Sequence, residues 1–221
     1  MRRGGTLGEN RWPEAPEFVQ AAERLQANAR SILLRAIWDG FDRLRAEVLT
    51  AFDPSVVDEE IERSITQYLT PQIRRSLPQP SPYEVEQGWY EFATRLPAPA
   101  QPPLYDIAFV LRSNERVALP LEAKVLRTHG AVADYVHDLK EQFLTCRYAP
   151  FSSEGAMIGY LLSGDPAKAL ENIASKGEII LEVTGDFPTR PYRWSRHRRY
   201  PPPGMKSPVE FGCHHFIFAI A

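Results

Sequence analysis

Two apolar stretches separated by a few polar residues constrain this chain more than any other feature. Residues 104–111 (LYDIAFVL) and 116–126 (RVALPLEAKVL) are each long enough for a strand, and Ser113, Asn114 and Glu115 between them supply a turn. The pattern predicts a β-hairpin. Side chains alternate faces along a strand, so Glu122 and Lys124 point the same way. Asp106, Glu122 and Lys124 interrupt segments that are otherwise apolar. A charge is costly to bury unless it is paired or binds a metal. The plainer alternative is a surface ion pair between Glu122 and Lys124 on an edge strand, with Asp106 as a turn residue. Gathered at one end of a hairpin, however, two carboxylates and an ammonium make a cage for a hard divalent cation with a positive group beside it. That combination suits hydrolysis of a phosphodiester.

Asp106, followed sixteen positions later by the triplet Glu122-Ala123-Lys124, resembles the signature of the PD-(D/E)xK nuclease superfamily, which includes many restriction endonucleases and Holliday-junction resolvases. Tyr105 stands where that signature usually has proline. The resemblance implies an α/β fold with a restriction-endonuclease-like mixed central sheet flanked by helices. It further implies metal binding by Asp106, Glu122 and the backbone carbonyl of Ala123, with Mg2+ or Mn2+ as the cofactor and Lys124 activating water. Members of the superfamily often add a carboxylate from the first helix. The candidates here are Asp58, Glu59, Glu60 and Glu62. The apolar stripe of that helix comprises Val57, Ile61, Ile65, Tyr68, Leu69 and Ile73. At about 100° per residue, Glu62 falls between Leu69 and Ile73, on the stripe's edge. Glu62 is therefore the expected fourth catalytic group, with Asp58 second. Equally, all four acids could simply favour a helix N-terminus. By analogy of fold the implied activity is cleavage of DNA, in phage defence or restriction, with RNA cleavage or a silent binding subunit as alternatives.

The chain has 221 residues, 43% of them hydrophobic, and a net charge of −2. That is enough for one globular core, here expected over 53–221, with a helical extension over 1–52. No segment approaches the ~20 consecutive apolar residues that cross a membrane. Arg2 and Arg3 are followed by Gly4, Gly5 and Thr6 rather than an apolar run, so the start does not read as a secretory signal. Cys146 and Cys213 give neither a disulfide framework nor a CxxC zinc motif. A reducing, cytoplasmic setting is expected.

Residues 1–13 read as disordered. Phe18, Ala21, Leu25, Ile32, Leu33, Ile37, Phe41, Leu44 and Val48 recur at helical spacing over 14–50, with a break expected at Asp39-Gly40. This arm packs on the core by default; a homo-oligomer or a protein partner is the alternative. Asp53-Pro54 predicts a helix start and Thr70-Pro71 its end. The proline-rich stretch 71–103 reads as an extended connection with a short ordered piece near Gly88. Further helices are expected over 131–145, from the stripe Val132, Tyr135, Val136, Leu139 and Phe143, and from Pro166 to Lys176. Strands are expected over 156–162, 178–183 and 211–220.

A basic loop over 190–200 is the expected nucleic-acid contact. Arg193, Arg196, His197, Arg198 and Arg199 there are interleaved with Tyr192, Trp194 and Tyr200, a mixture suited to phosphate contact and base stacking. In a chain of near-neutral charge that concentration stands out. Gln142 is a weaker candidate for a group near the site. Cys213-His214-His215 lacks regular partners for a metal, and the two histidines are expected to face opposite ways at the start of the last strand, one inward and one outward.

Overall fold

The computed structural model describes residues 16–47, 56–91, 102–203, 205 and 207–220. The Asp53-Pro54 helix start and the stretch 1–13 lie outside these residues. Helix α1 spans Pro16–Glu47 and α2 spans Asp58–Ser76; strands β1 (Tyr83–Tyr90), β2 (Leu104–Leu111) and β3 (Asn114–Leu126) follow. Next comes α3 (Ala133–Asp138), which widens directly into a π-helical turn over Leu139–Leu144. Then come β4 (Glu154–Leu161), α4 (Pro166–Gly177), β5 (Tyr192–Arg198) and β6 (Glu210–Ala219). The six strands form one mixed sheet in the order β1-β2-β3-β4-β6-β5. The β2–β3 hairpin is antiparallel, β3–β4 and β4–β6 are parallel, and β5 returns antiparallel to β6.

Helices cover both faces, which explains the nearly unbroken apolar runs of β4 and β6. On one face α1 and α2 pack Leu34, Ile37, Trp38, Ile65, Leu69 and Ile73 against Phe109, Leu121, Ile158, Phe216 and Phe218. Phe41 stacks on Phe218 at 4.0 Å, and Trp38 meets the same ring edge-on. On the other face α3, the π turn and α4 pack Tyr135, Leu139, Phe143, Leu170 and Ile173 against Val110, Leu126, Met157, Phe211 and Ile217. The second half of α1 thus lies in the core. Arg190 clamps it at Asp42 and stacks over Trp38.

The structure departs from the pattern-based expectations in five places. Helix α1 does not break at Asp39-Gly40. Gly40 is the point where α1 meets α2, since a Cβ there would come within 2.7 Å of the Ile73 backbone nitrogen. Helix α2 does not stop at Pro71 but runs to Ser76. Buried Ile73 continues its apolar stripe past the proline, and Thr70 Oγ1 donates to the Thr66 carbonyl. The stretch after it holds β1, where Tyr83 and Val85 face inward between Glu84 and Glu86, paired along β2. The basic segment is likewise a strand rather than a loop: alternation of Tyr192 and Trp194 with Ser195 and His197 outweighs its arginine content. By contrast 178–183 is not a strand, touching β5 only through a bridge between Glu182 and Trp194.

Candidate active site

The site forms where the hairpin, α2 and α3 meet at one end of the sheet. The Ile107–Leu121 pair sets the register of β2 against β3, so Asp106 lies beside Glu122. The Ala123 N–H donates to Asp106 Oδ2 at 2.8 Å, fixing that carboxylate over the next strand. Lys124 Nζ reaches Glu122 Oε1 at 3.0 Å and Glu62 Oε1 at 3.2 Å. Its third partner is Asp138 Oδ2, also at 3.2 Å. Asp106, Glu122, Lys124 and Glu62 are thus brought together, with Asp138 added from the last residue of α3. Asp58 points elsewhere and pairs with Arg127.

Glu122 is only 6% exposed, and its second oxygen, Oε2, is buried with no hydrogen-bond partner. Burial raises the pKa of Glu122 well above its usual range, and the neighbouring Asp106 carboxylate adds to the rise. Asp106 is also raised, mainly by burial, although the Ala123 N–H, Lys124 and a hydrogen bond shared with Glu122 lower it. Glu62 is pushed up to about 7 by burial, against the pull of Lys124. Burial on its own would lower Lys124, but Glu122, Glu62 and Asp106 overcome it and the ammonium is held charged. Left to itself, the chain gathers four carboxyls around one lysine, and burial with crowding favours the protonated form of three of them.

These oxygens suit a hard cation that keeps several waters and needs only one or two carboxylates. Glu122 Oε2, buried without a hydrogen-bond partner beside Asp106, is the oxygen with capacity left for such an ion. Among the described residues no group of three or more histidine, cysteine, aspartate and glutamate side chains is arranged to hold a metal ion, the acid cluster included. Cys146 and Cys213 are both free and buried.

The candidate nucleic-acid residues divide between the two sheet faces. Glu122 pairs with Met157, Met157 with His215, and His215 with Arg193, so one cross-strand row carries half-buried Arg193 on the same face as Glu122. Arg196 and Arg198 lie exposed on the opposite face, where Arg196 stacks on Trp194. Arg199 is buried at 1% exposure, and its guanidinium donates to the carbonyls of Pro208, Ala149 and Ser152. It anchors the loop after the π turn rather than presenting charge to solvent. His197 is buried as well, its Nε2 2.6 Å from Ser195 Oγ. The same Oγ lies 2.7 Å from His215 Nε2, while His215 Nδ1 meets the Tyr135 hydroxyl at 2.9 Å. His214 and His215 do face opposite ways, but both are buried, because β6 is covered on each side.

Asp138 and the imidazole chain were not singled out from sequence. Asp138 lies about 60° outside the apolar stripe of its helix at 100° per residue, so the helical-phase ranking that selects Glu62 does not find it. The imidazole chain depends on the pairing of β5 with β6, which no local pattern encodes. Tyr105, in the usual place of proline, ties three segments together: it donates to Glu91, accepts from the Ala149 N–H and packs edge-on against Tyr148. No protein-family model, curated protein or solved structure matches the chain.

Proposed function

We propose that this chain is a divalent-cation-dependent nuclease of restriction-endonuclease-like fold that hydrolyses phosphodiester bonds of DNA. One observation carries the reading: a buried carboxylate oxygen with no partner, Glu122 Oε2, stands beside Asp106 and a charged lysine. The order of α2, three strands, α3 and β4 supports it, since it repeats the helix-strand-strand-strand-helix-strand core of the PD-(D/E)xK superfamily. The first of those three strands is β1, ahead of Asp106.

Asp106 and Glu122 would hold Mg2+ or Mn2+, with the Ala123 carbonyl as a further oxygen. When bound, the ion neutralises charge on the scissile phosphate and eases deprotonation of the attacking water. Lys124 is aimed at the same space, where its N–H groups orient that water and stabilise the hydroxide as it forms. Glu62 orients Lys124 from α2. Attack in line with the leaving oxygen completes hydrolysis without a covalent intermediate. Arg193, on the site face, suits a phosphate contact. Arg196, Arg198 and Trp194 serve a substrate that continues around the β5 edge.

Plasmid, linear duplex, single-stranded DNA and RNA, incubated with and without Mg2+, test the proposal. Magnesium-dependent cleavage of DNA is expected. Lys124→Ala should slow it by about 10²- to 10⁴-fold, the range for a positioned proton-transfer group, and Asp106→Ala should abolish it, each with an unchanged circular dichroism spectrum. Cleavage at the wild-type rate in either variant would overturn the assignment. Cleavage of RNA alone would move the substrate class.

A further inference from the structure

The chemistry just proposed leaves Asp138 without a role, although its carboxylate is as close to Lys124 as that of Glu62. Lys124 donates hydrogen bonds to Glu122 and Glu62, and Asp138 adds an ion pair at 3.2 Å. With three carboxylates around its three N–H donors, Lys124 is drawn away from water or phosphate. One carboxylate must release it before the reaction begins.

Glu122 is the one that can let go. A cation bound through Glu122 and Asp106 draws on the same carboxylate that holds the ammonium, and weakens that hold. The other two partners arrive from opposite sides of the sheet. Glu62 sits on α2, whose apolar residues pack on one face, and Asp138 ends α3, which covers the other. Asp138 also occupies the step where α3 widens into the π turn, a helical irregularity frequent at functional sites. Resting on the nuclease reading, we propose that Asp138 is a positioning residue. It opposes further collapse of the Lys124 ammonium onto Glu122, to which it already donates at 3.0 Å, so that the cation can take Glu122 and Lys124 can turn to the water. Without Asp138, only Glu62 opposes that collapse, and the ammonium competes with the cation for Glu122.

The test is the rise in melting temperature with added Mn2+, measured without substrate on the full chain. The wild type should show a saturable rise that Asp106→Ala abolishes. Asp138→Asn should need about 10- to 100-fold more Mn2+ for half the effect, the usual cost of losing a group that supports a metal ligand. Asp138→Glu should recover most of it. In a Lys124→Met background Asp138→Asn should change little, because Asp138 acts through the lysine. Wild-type Mn2+ dependence in Asp138→Asn, with Asp106→Ala still abolishing the rise, would overturn the role of Asp138 and leave the cation site standing. A penalty that persists in the Lys124→Met background would overturn it too, reducing Asp138 to a distant charge. A rise that survives Asp106→Ala unchanged would instead remove the cation site itself.

Discussion

The acid–lysine group on β2 and β3 and the imidazole–hydroxyl chain on β5 and β6 share one sheet face. Glu122 and His215 are separated by one strand, about 10 Å apart at the usual strand spacing. Both groups are polar and both are buried. They differ in whether the chain satisfies them. From Tyr135 through His215 and Ser195 to His197, every contact is a hydrogen bond between neutral groups, and one consistent order of donors runs the length of the chain. Burial lowers the pKa of His197 to about 4 and that of His215 well below its usual range, so both rings stay neutral. The acid group crowds four carboxyls around one lysine and leaves an oxygen without a partner. A polar group completed by its own protein specifies the fold, whereas one left incomplete has a place for something from outside.

Breaking the completed group should cost stability alone. Ser195→Ala removes the hydroxyl that joins two imidazoles and strands their Nε2 atoms in the core, at a cost of about 1–3 kcal/mol. Urea unfolding should show that loss, while Mn2+ affinity stays at its wild-type value. A change in Mn2+ affinity would mean the two regions are coupled, and the contrast between them would fail.

A smaller effect separates the groups by pH. Glu62 has a pKa near 7 in the folded chain against a usual 4.5. Its contribution to stability is complete below about pH 4.5 and is lost as pH rises through 7. His197 runs the other way: its folded value of about 4 lies below the usual 6.5. Its contribution is present above about pH 6.5 and is lost as pH falls towards 4. Without divalent cations, Glu62→Gln should therefore reduce the decline in melting temperature between pH 4.5 and 7. His197→Gln should reduce the decline on acidification from 6.5 to 4. Shifts of the same sign in both variants would contradict the assignment of opposite charge preferences.

Much of this was legible in the sequence wherever a period of two or 3.6 was intact. The hairpin followed from two apolar runs and the polar residues between them, the shared side of Glu122 and Lys124 from parity, and the place of Glu62 from helical phase. The sequence was misleading where single residues were weighed above the pattern. Pro71 suggested a helix end that the burial of Ile73 overrides, and the arginines of β5 masked its alternation. What no local pattern could reveal was register between distant strands. The meeting of His215 with Ser195, and the alignment of Arg193 with Glu122 along one row, arise from the β4–β6–β5 pairing alone.

Calorimetric titration of Mn2+ into the wild type and into Glu122→Gln, at neutral pH and without nucleic acid, tests most directly whether the unpartnered oxygen awaits a cation. The account predicts saturable heat at one site in the wild type and none in Glu122→Gln, with the variant still folded. Equal heats from the two proteins, or no binding by the wild type, would contradict it.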